Sequence, residues 1–298
     1  ALEIQPDFAA AHNSLGIALV QRGSVAEGIR HFKQAMSLEP DNAQAHYNLG
    51  VALFQQGKVA EAIGCYDQAL RFKPKYADAL NNLGTILFQQ GKVAEAIKHL
   101  EQAVRLEPNK AQAHYNLGRA MIPQGKLEAA AAHFAETARL NPDFAPVHSD
   151  WGNVLELQGK HDEAITHYAE AVRLQPDYAE AHYNWGNVLV LQGKLEEAKT
   201  HFLEALQLKP ESVEAHNNLG NLLILQGKLG EAVPQFLEAL KINPQYAEGH
   251  YYLASALARQ KKMGEAVTHF QAALKIKPDY AAAANDLAWI LATETNGV

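Results

Sequence analysis

Apolar and small side chains return along this chain at a fixed spacing of 34 residues. With Gly16 set at position 8, eight units fill residues 9–42, 43–76, 77–110, 111–144, 145–178, 179–212, 213–246 and 247–280 without insertion or deletion. Each unit carries apolar residues three and four apart in two stretches, which predicts two amphipathic helices and no strand. Position 7 holds a large residue, such as Leu49, Leu83, Trp151 or Trp185, and position 24 a bulky one, such as Phe32, Tyr66 or Phe202. Position 8 is glycine in seven units and Ala254 in the last, so neighbouring helices can approach closely there. Position 15 is glycine except at Lys261, where the turn between the helices needs a permissive backbone. Position 32 is always proline, from Pro40 to Pro278, which cannot continue a helix and closes each unit. A lone helix pair of this size cannot bury its apolar faces, so stacked units must close one continuous core.

Residues 1–8 (ALEIQPDF) align with the tail of a preceding unit, and residues 281–298 supply the first helix of a ninth unit or a capping helix. Both ends therefore read as cut, and the chain as a fragment of a longer natural protein. Pro234, about five residues into a second helix, is expected to delay or kink that helix's start.

The segment AHYNLG at 45–50 and 113–118, AHYNWG at 181–186 and AHNNLG at 215–220, with the small residue at 20, the bulky one at 24 and the proline at 32, resembles the tetratricopeptide repeat (TPR). The resemblance spans about nine tenths of the chain. It implies an all-α, right-handed α-solenoid superhelix of helix-turn-helix repeats, with the first helix of each repeat lining a concave groove. Pentatricopeptide arrays, which read RNA, share the period but fit less well, because the groove is not basic.

Composition narrows the partners. Lys and Arg number 26 against 33 Asp and Glu, a net charge of −7, so the basic excess of a general nucleic-acid or anionic-membrane binder is missing. The single cysteine, Cys65, rules out an intramolecular disulfide and a Cys-rich zinc site. No apolar run approaches the roughly 20 residues of a membrane span.

What the resemblance implies for a binding site lies at positions 2, 5, 6, 9 and 12 of the first helices. Position 6 is Asn48, Asn82, Asn116, Asn184 and Asn218. An amide offers two donors and an acceptor, so such a row can hold a peptide backbone with little regard for its sequence. The row is similar to the asparagine ladder that binds substrate peptides in the repeat arm of the O-GlcNAc transferase family. The alternative for the same five residues is a supporting role for the helix backbone or its neighbours. Tyr47, Tyr115 and Tyr183 at position 5, with Asn153, Asn187 and Asn221 at position 9, complete the candidate peptide contacts. Position 2 turns acidic along the chain, to Glu180, Glu214 and Glu248, against the one groove cation Arg119; a ligand is expected to be neutral or basic toward the C-terminal half. Position 5 lacks the lysines of a carboxylate clamp, so capture of an acidic tail is not expected.

Thirteen of the fourteen histidines fall on two rows, at positions 4 and 23. Residues one repeat apart sit on separate helices, too distant to share a zinc ion, so the imidazoles read as semi-polar packing residues. There is no phosphate loop, dinucleotide fingerprint, nucleophile elbow or HExxH, so neither catalysis nor a cofactor is expected. The leading expectation is a protein-interaction scaffold that binds an extended peptide along its groove. Two competitors are the substrate-recruiting arm of a glycosyltransferase-like enzyme whose catalytic domain lies elsewhere, and an array that associates end to end. The single cysteine and the look of the repeats suggest an intracellular, bacterial protein.

Overall fold

The structure, a computed structural model, describes residues 8–295. The expected remnant of a preceding unit falls on residues 1–8, of which 1–7 lie outside the described residues, as do 296–298 of the segment expected to supply the first helix of a ninth unit. The described residues form α-helices and no strand, and the chain divides after Asp143 into two compact units. The first contains α1 (Ala9–Gln21), α2 (Val25–Leu38), α3 (Ala43–Gln55), α4 (Val59–Phe72), α5 (Ala77–Gln89), α6 (Val93–Leu106), α7 (Ala111–Met121) and α8 (Leu127–Leu140). The second contains α9 (Ala145–Leu157), α10 (His161–Leu174), α11 (Ala179–Leu191), α12 (Leu195–Leu208), α13 (Val213–Leu225), α14 (Leu229–Ile242), α15 (Ala247–Arg259), α16 (Met263–Ile276) and α17 (Ala281–Thr295). Within each unit every helix packs on the next in sequence, and first helices also touch one another, as α5 does α7 and α11 does α13. This is the all-α repeat solenoid that the periodicity predicts.

The glycine at position 8 has a definite task. A Cβ on Gly50 would lie 2.8 Å from the Tyr66 ring, and one on Gly118 or Gly186 would lie 2.7 Å from Phe134 or Phe202. The ring at position 24 thus rests directly on bare backbone of its partner helix, and these rings are the largest fully buried side chains of the core. The turn glycines all adopt positive φ, between 68° and 84°. At the end of α11 the amide of Gly193 donates to the Val190 carbonyl and that of Lys194 to the Leu189 carbonyl, both at 2.9 Å, a paired closure that needs the left-handed residue. Lys261 takes the same conformation, at φ 63°, with a side chain that disfavours it.

Two prolines behave differently. Pro123 stops α7 at Met121, and Ile122–Gln124 follows as a 3-10 turn. Pro234 does not delay its helix, contrary to expectation: α14 starts at Leu229 and carries Pro234 inside it. As the sixth residue of α14 it forfeits one internal bond, the one an amide there would have made to the Gly230 carbonyl, and the rest of the ladder carries the helix through.

Candidate ligand groove

The asparagines of position 6 are joined across neighbouring first helices, each donating from Nδ2 to the helix before it. Asn48 donates to Asn13 Oδ1 at 2.9 Å, and Asn82 to the Tyr47 hydroxyl at 3.3 Å. Asn116 donates to Asn81 Oδ1 and Thr85 Oγ1, both at 3.0 Å. In the second unit Asn184 donates to Asn153 Oδ1 at 2.9 Å. Asn218 donates to the Tyr183 hydroxyl at 3.0 Å and to Asn187 Oδ1 at 2.8 Å. The row therefore braces the stack, and what it can offer a ligand is what these bonds leave over. Asn116 is buried and spends both N–H groups on α5, and Asn82 is shared between the Tyr47 and Tyr66 hydroxyls, whereas Asn48 and Asn184 each use one. The buried position-5 amides Asn13 and Asn81 belong to this network although the sequence did not single them out; their signal was the alternation of that row between tyrosine and a small polar residue, Asn13, Asn81, Ser149 and Asn217.

The tyrosines sit at the edge of the same network. Tyr115 is buried with the exposed Arg119 guanidinium over its ring at 5.6 Å, while Tyr47 and Tyr183 are half-buried. Burial holds the Tyr47 hydroxyl above its ordinary pKa, and Asp78 adds to the effect. Asn153 accepts from the buried Tyr168 hydroxyl at 2.8 Å as well as from Asn184. In the first unit an open cavity of about 320 Å³ is lined by Phe54, Asn81, Asn82, Thr85 and Asn116. In the second, a cavity of about 320 Å³ is lined by Glu156, Asn187, Leu191, Asn218, Asn221 and Leu225, and a smaller one of about 200 Å³ by Glu180, Tyr183, Lys209 and Glu214.

Charge and apolar surface separate the units further. Asp78, the acidic position-2 residue of the first unit, pairs with Lys110, which also meets Glu107 at 2.9 Å. In the second unit Glu248 pairs with Lys277 at 3.5 Å, and Glu180 and Glu214 border the smaller cavity. Sequence reading also missed position 13. Leu157, Leu191 and Leu225, one repeat apart, are 63%, 63% and 64% exposed. Their counterparts in the first three repeats are Gln21, Gln55 and Gln89, and that exchange was the available signal.

The histidine rows meet each other rather than a metal. Nδ1 lies against Nδ1 at 2.9–3.1 Å in His12–His31, His114–His133, His148–His167, His182–His201 and His250–His269, each pair joining the first and second helix of one repeat. His114 and His250 donate from Nε2 to the carbonyls of Pro108 and Pro244. Because a carbonyl only accepts, the neutral rings must then accept at Nδ1, and their partners donate. His167 and His201 stack on Trp151 and Trp185 with centroids 4.0 and 3.9 Å apart, and burial pushes both imidazoles down to about 4. Among the described residues no three His, Cys, Asp or Glu side chains gather as a metal site, and no helix is long and apolar enough to cross a membrane.

Stacked helix pairs with a bare-glycine contact and an amide-lined face define a repeat scaffold of the protein-interaction type. Models described as "Tetratricopeptide repeat" match residues 13–77, 217–281, 65–98 and 111–136, and one described as "TPR repeat" matches 84–122, 152–193 and 186–227. The chain belongs to the tetratricopeptide repeat family. Among solved structures it is similar to PilF of Pseudomonas aeruginosa (24% identity, TM-score 0.62, 70% of this chain and 94% of that one). It is similar also to the Cut9–Hcn1 hetero-tetramer of the APC/C (18%, TM-score 0.67, 90% and 52%). A third likeness is to MamA (27%, TM-score 0.51, 55% and 95%). No curated protein matches the chain. A chain of tetratricopeptide repeats fits a scaffold without catalysis of its own.

Proposed function

We propose that this scaffold binds an extended segment of a partner protein across the faces of its first helices, with the asparagine rows as the main-chain contacts. The observation that carries the reading is the regular row of amides, held in place by bonds to the preceding helix and bordering open cavities in both units. Groups already ordered lose little freedom on binding. Asn48 and Asn184 supply their second N–H, and Asn82, Tyr47, Tyr183, Asn187 and Asn221 flank them. Each neutral hydrogen bond contributes only about 0.5–1.5 kcal/mol net, so several repeats must act together. The exposed carboxylates of Glu180 and Glu214 favour a neutral or basic segment over the second unit. Free Cys65 suits a reducing, intracellular setting.

The test is affinity capture from source-organism lysate with the wild type and with a variant carrying Ala at Asn48, Asn82, Asn116, Asn184 and Asn218. Loss of partners from the variant at unchanged helical circular dichroism supports the reading. Identical partner sets from both proteins overturn it.

A further inference from the structure

The two cavities of the second unit lie between the same two helices, α11 and α13, and hydrogen bonds join them. Tyr183 borders the smaller cavity, and Asn218 and Asn187 the larger; Asn218 donates to both Tyr183 and Asn187. They form one trough whose chemistry changes along its length. At the N-terminal ends of the helices stand Glu180 and Glu214, two carboxylates against the one ammonium of Lys209. Amides occupy the middle. At the C-terminal ends Leu191 and Leu225 expose most of their surface, beside Val190 and Leu222; the one carboxylate there, Glu156 of α9, accepts from the Tyr168 hydroxyl at 3.3 Å. From Glu214 to Leu225 the helix advances about 16 Å, which about five extended residues span.

We infer that this trough takes an extended peptide segment with a large apolar side chain at one end and a Lys or Arg about four residues away at the other. The inference rests on the groove reading above and adds to it the ligand's chemistry, place and polarity. Residues four apart project from the same face of an extended chain, so both side chains enter the trough together, and the long cationic stem covers the remaining reach. The apolar residue covers Leu191 and Leu225, which water otherwise contacts; the amide middle meets the peptide backbone; the cation meets the carboxylates. An acidic segment is rejected at the Glu end, and a wholly polar one leaves the leucines wet. The first unit lacks the matching elements: glutamines replace the leucines in its first three repeats, and the single position-2 carboxylate, Asp78, is held in a direct ion pair with Lys110.

The experiment is fluorescence anisotropy with a labelled twelve-residue Ser/Gly peptide carrying one Leu and one Lys four residues apart. It is compared with its Leu→Ser form, its Lys→Glu form and a form in which Leu and Lys are adjacent. The wild type should bind the parent about tenfold tighter than any of the three, the charge effect shrinking in added salt. Leu191→Ser/Leu225→Ser should weaken the parent about tenfold and no longer distinguish Leu from Ser. Glu180→Gln/Glu214→Gln should no longer distinguish Lys from Glu. All four substituted residues are exposed, so helical circular dichroism stays at the wild-type value. Absence of parent-peptide binding at millimolar concentration, or wild-type binding and discrimination by both double variants, overturns the inference. Lysate partners that the five-asparagine variant loses and both double variants keep would sink the trough while sparing the groove reading. Partners that the five-asparagine variant keeps would sink that reading itself.

Discussion

The two units of this chain share a core and differ in the face they present. In both, a row of aromatic rings, with Leu100 among them, lies on glycine backbone in every repeat but the last, with small residues, alanine in all but one repeat, packed beside it. On the first-helix faces the first unit places glutamine at position 13 and one acidic residue, Asp78, already paired with Lys110. The second unit places exposed leucines and glutamates at the matching positions, and Trp151 and Trp185 stacked on histidines. The contrast shows how a repeat array divides its labour. Positions that face the neighbouring helix keep to small or to large apolar residues in every repeat, and positions that face outward are free to vary from repeat to repeat.

The largest expected effect tests whether the cores are truly alike. Phe134 and Phe202 are both fully buried, so Phe134→Ala and Phe202→Ala should each cost about 3–5 kcal/mol in urea unfolding. A clear inequality between the two would break the comparison. Acid should then separate the units. The folded pKa of His167 and His201 lies near 4, below the ordinary 6.5 of a free imidazole, because burial disfavours the charged ring. The unfolded chain therefore binds protons first, so this stability is fully present above pH 6.5 and is lost as pH falls toward 4. His31 and His133 in the first unit shift the same way. Melting followed by the fluorescence of the tryptophans should fall across that window, and His167→Gln/His201→Gln should flatten the fall. Glutamine fits this position, since Gln235 already meets His216 at 2.8 Å. Of intermediate size, Asn116→Ala strips three bonds from a buried site and should cost about 1–3 kcal/mol, against about 0.5–1.5 kcal/mol for the half-buried Asn48→Ala. Equal losses would show that the amide row is uniform after all. The smallest effect has the opposite sign. Lys261→Gly relieves a left-handed lysine and should raise stability by about 1 kcal/mol, where Gly227→Ala in the neighbouring repeat lowers it by a similar amount.

Much of the fold was legible because each structural role repeats eight times at one register. Gly50 or Phe202 alone would say little, but a small residue sixteen positions before a ring, in unit after unit, specifies which helix face meets which. Single residues read less well. Pro234 looked disruptive, yet so near a helix start it costs few bonds; Pro123, at a helix end, shortened its helix outright. The histidines were assigned as packing residues, row by row. Their pairing across the helix hairpin went unseen, since residues nineteen apart meet only once the two helices fold back on each other.

What the sequence by itself determined is the period, the helical class and the set of residues that turn inward. These follow from apolar spacing and from glycine and proline, whose backbone limits act locally. Only the tertiary structure decided what the polar rows do. It spent the asparagine donors on neighbouring helices, placed imidazole against imidazole, and left Leu191 and Leu225 in the open beside Glu180 and Glu214. Hydrogen bonds and ion pairs are short-ranged and directional, so their partners exist only after the helices have been set side by side.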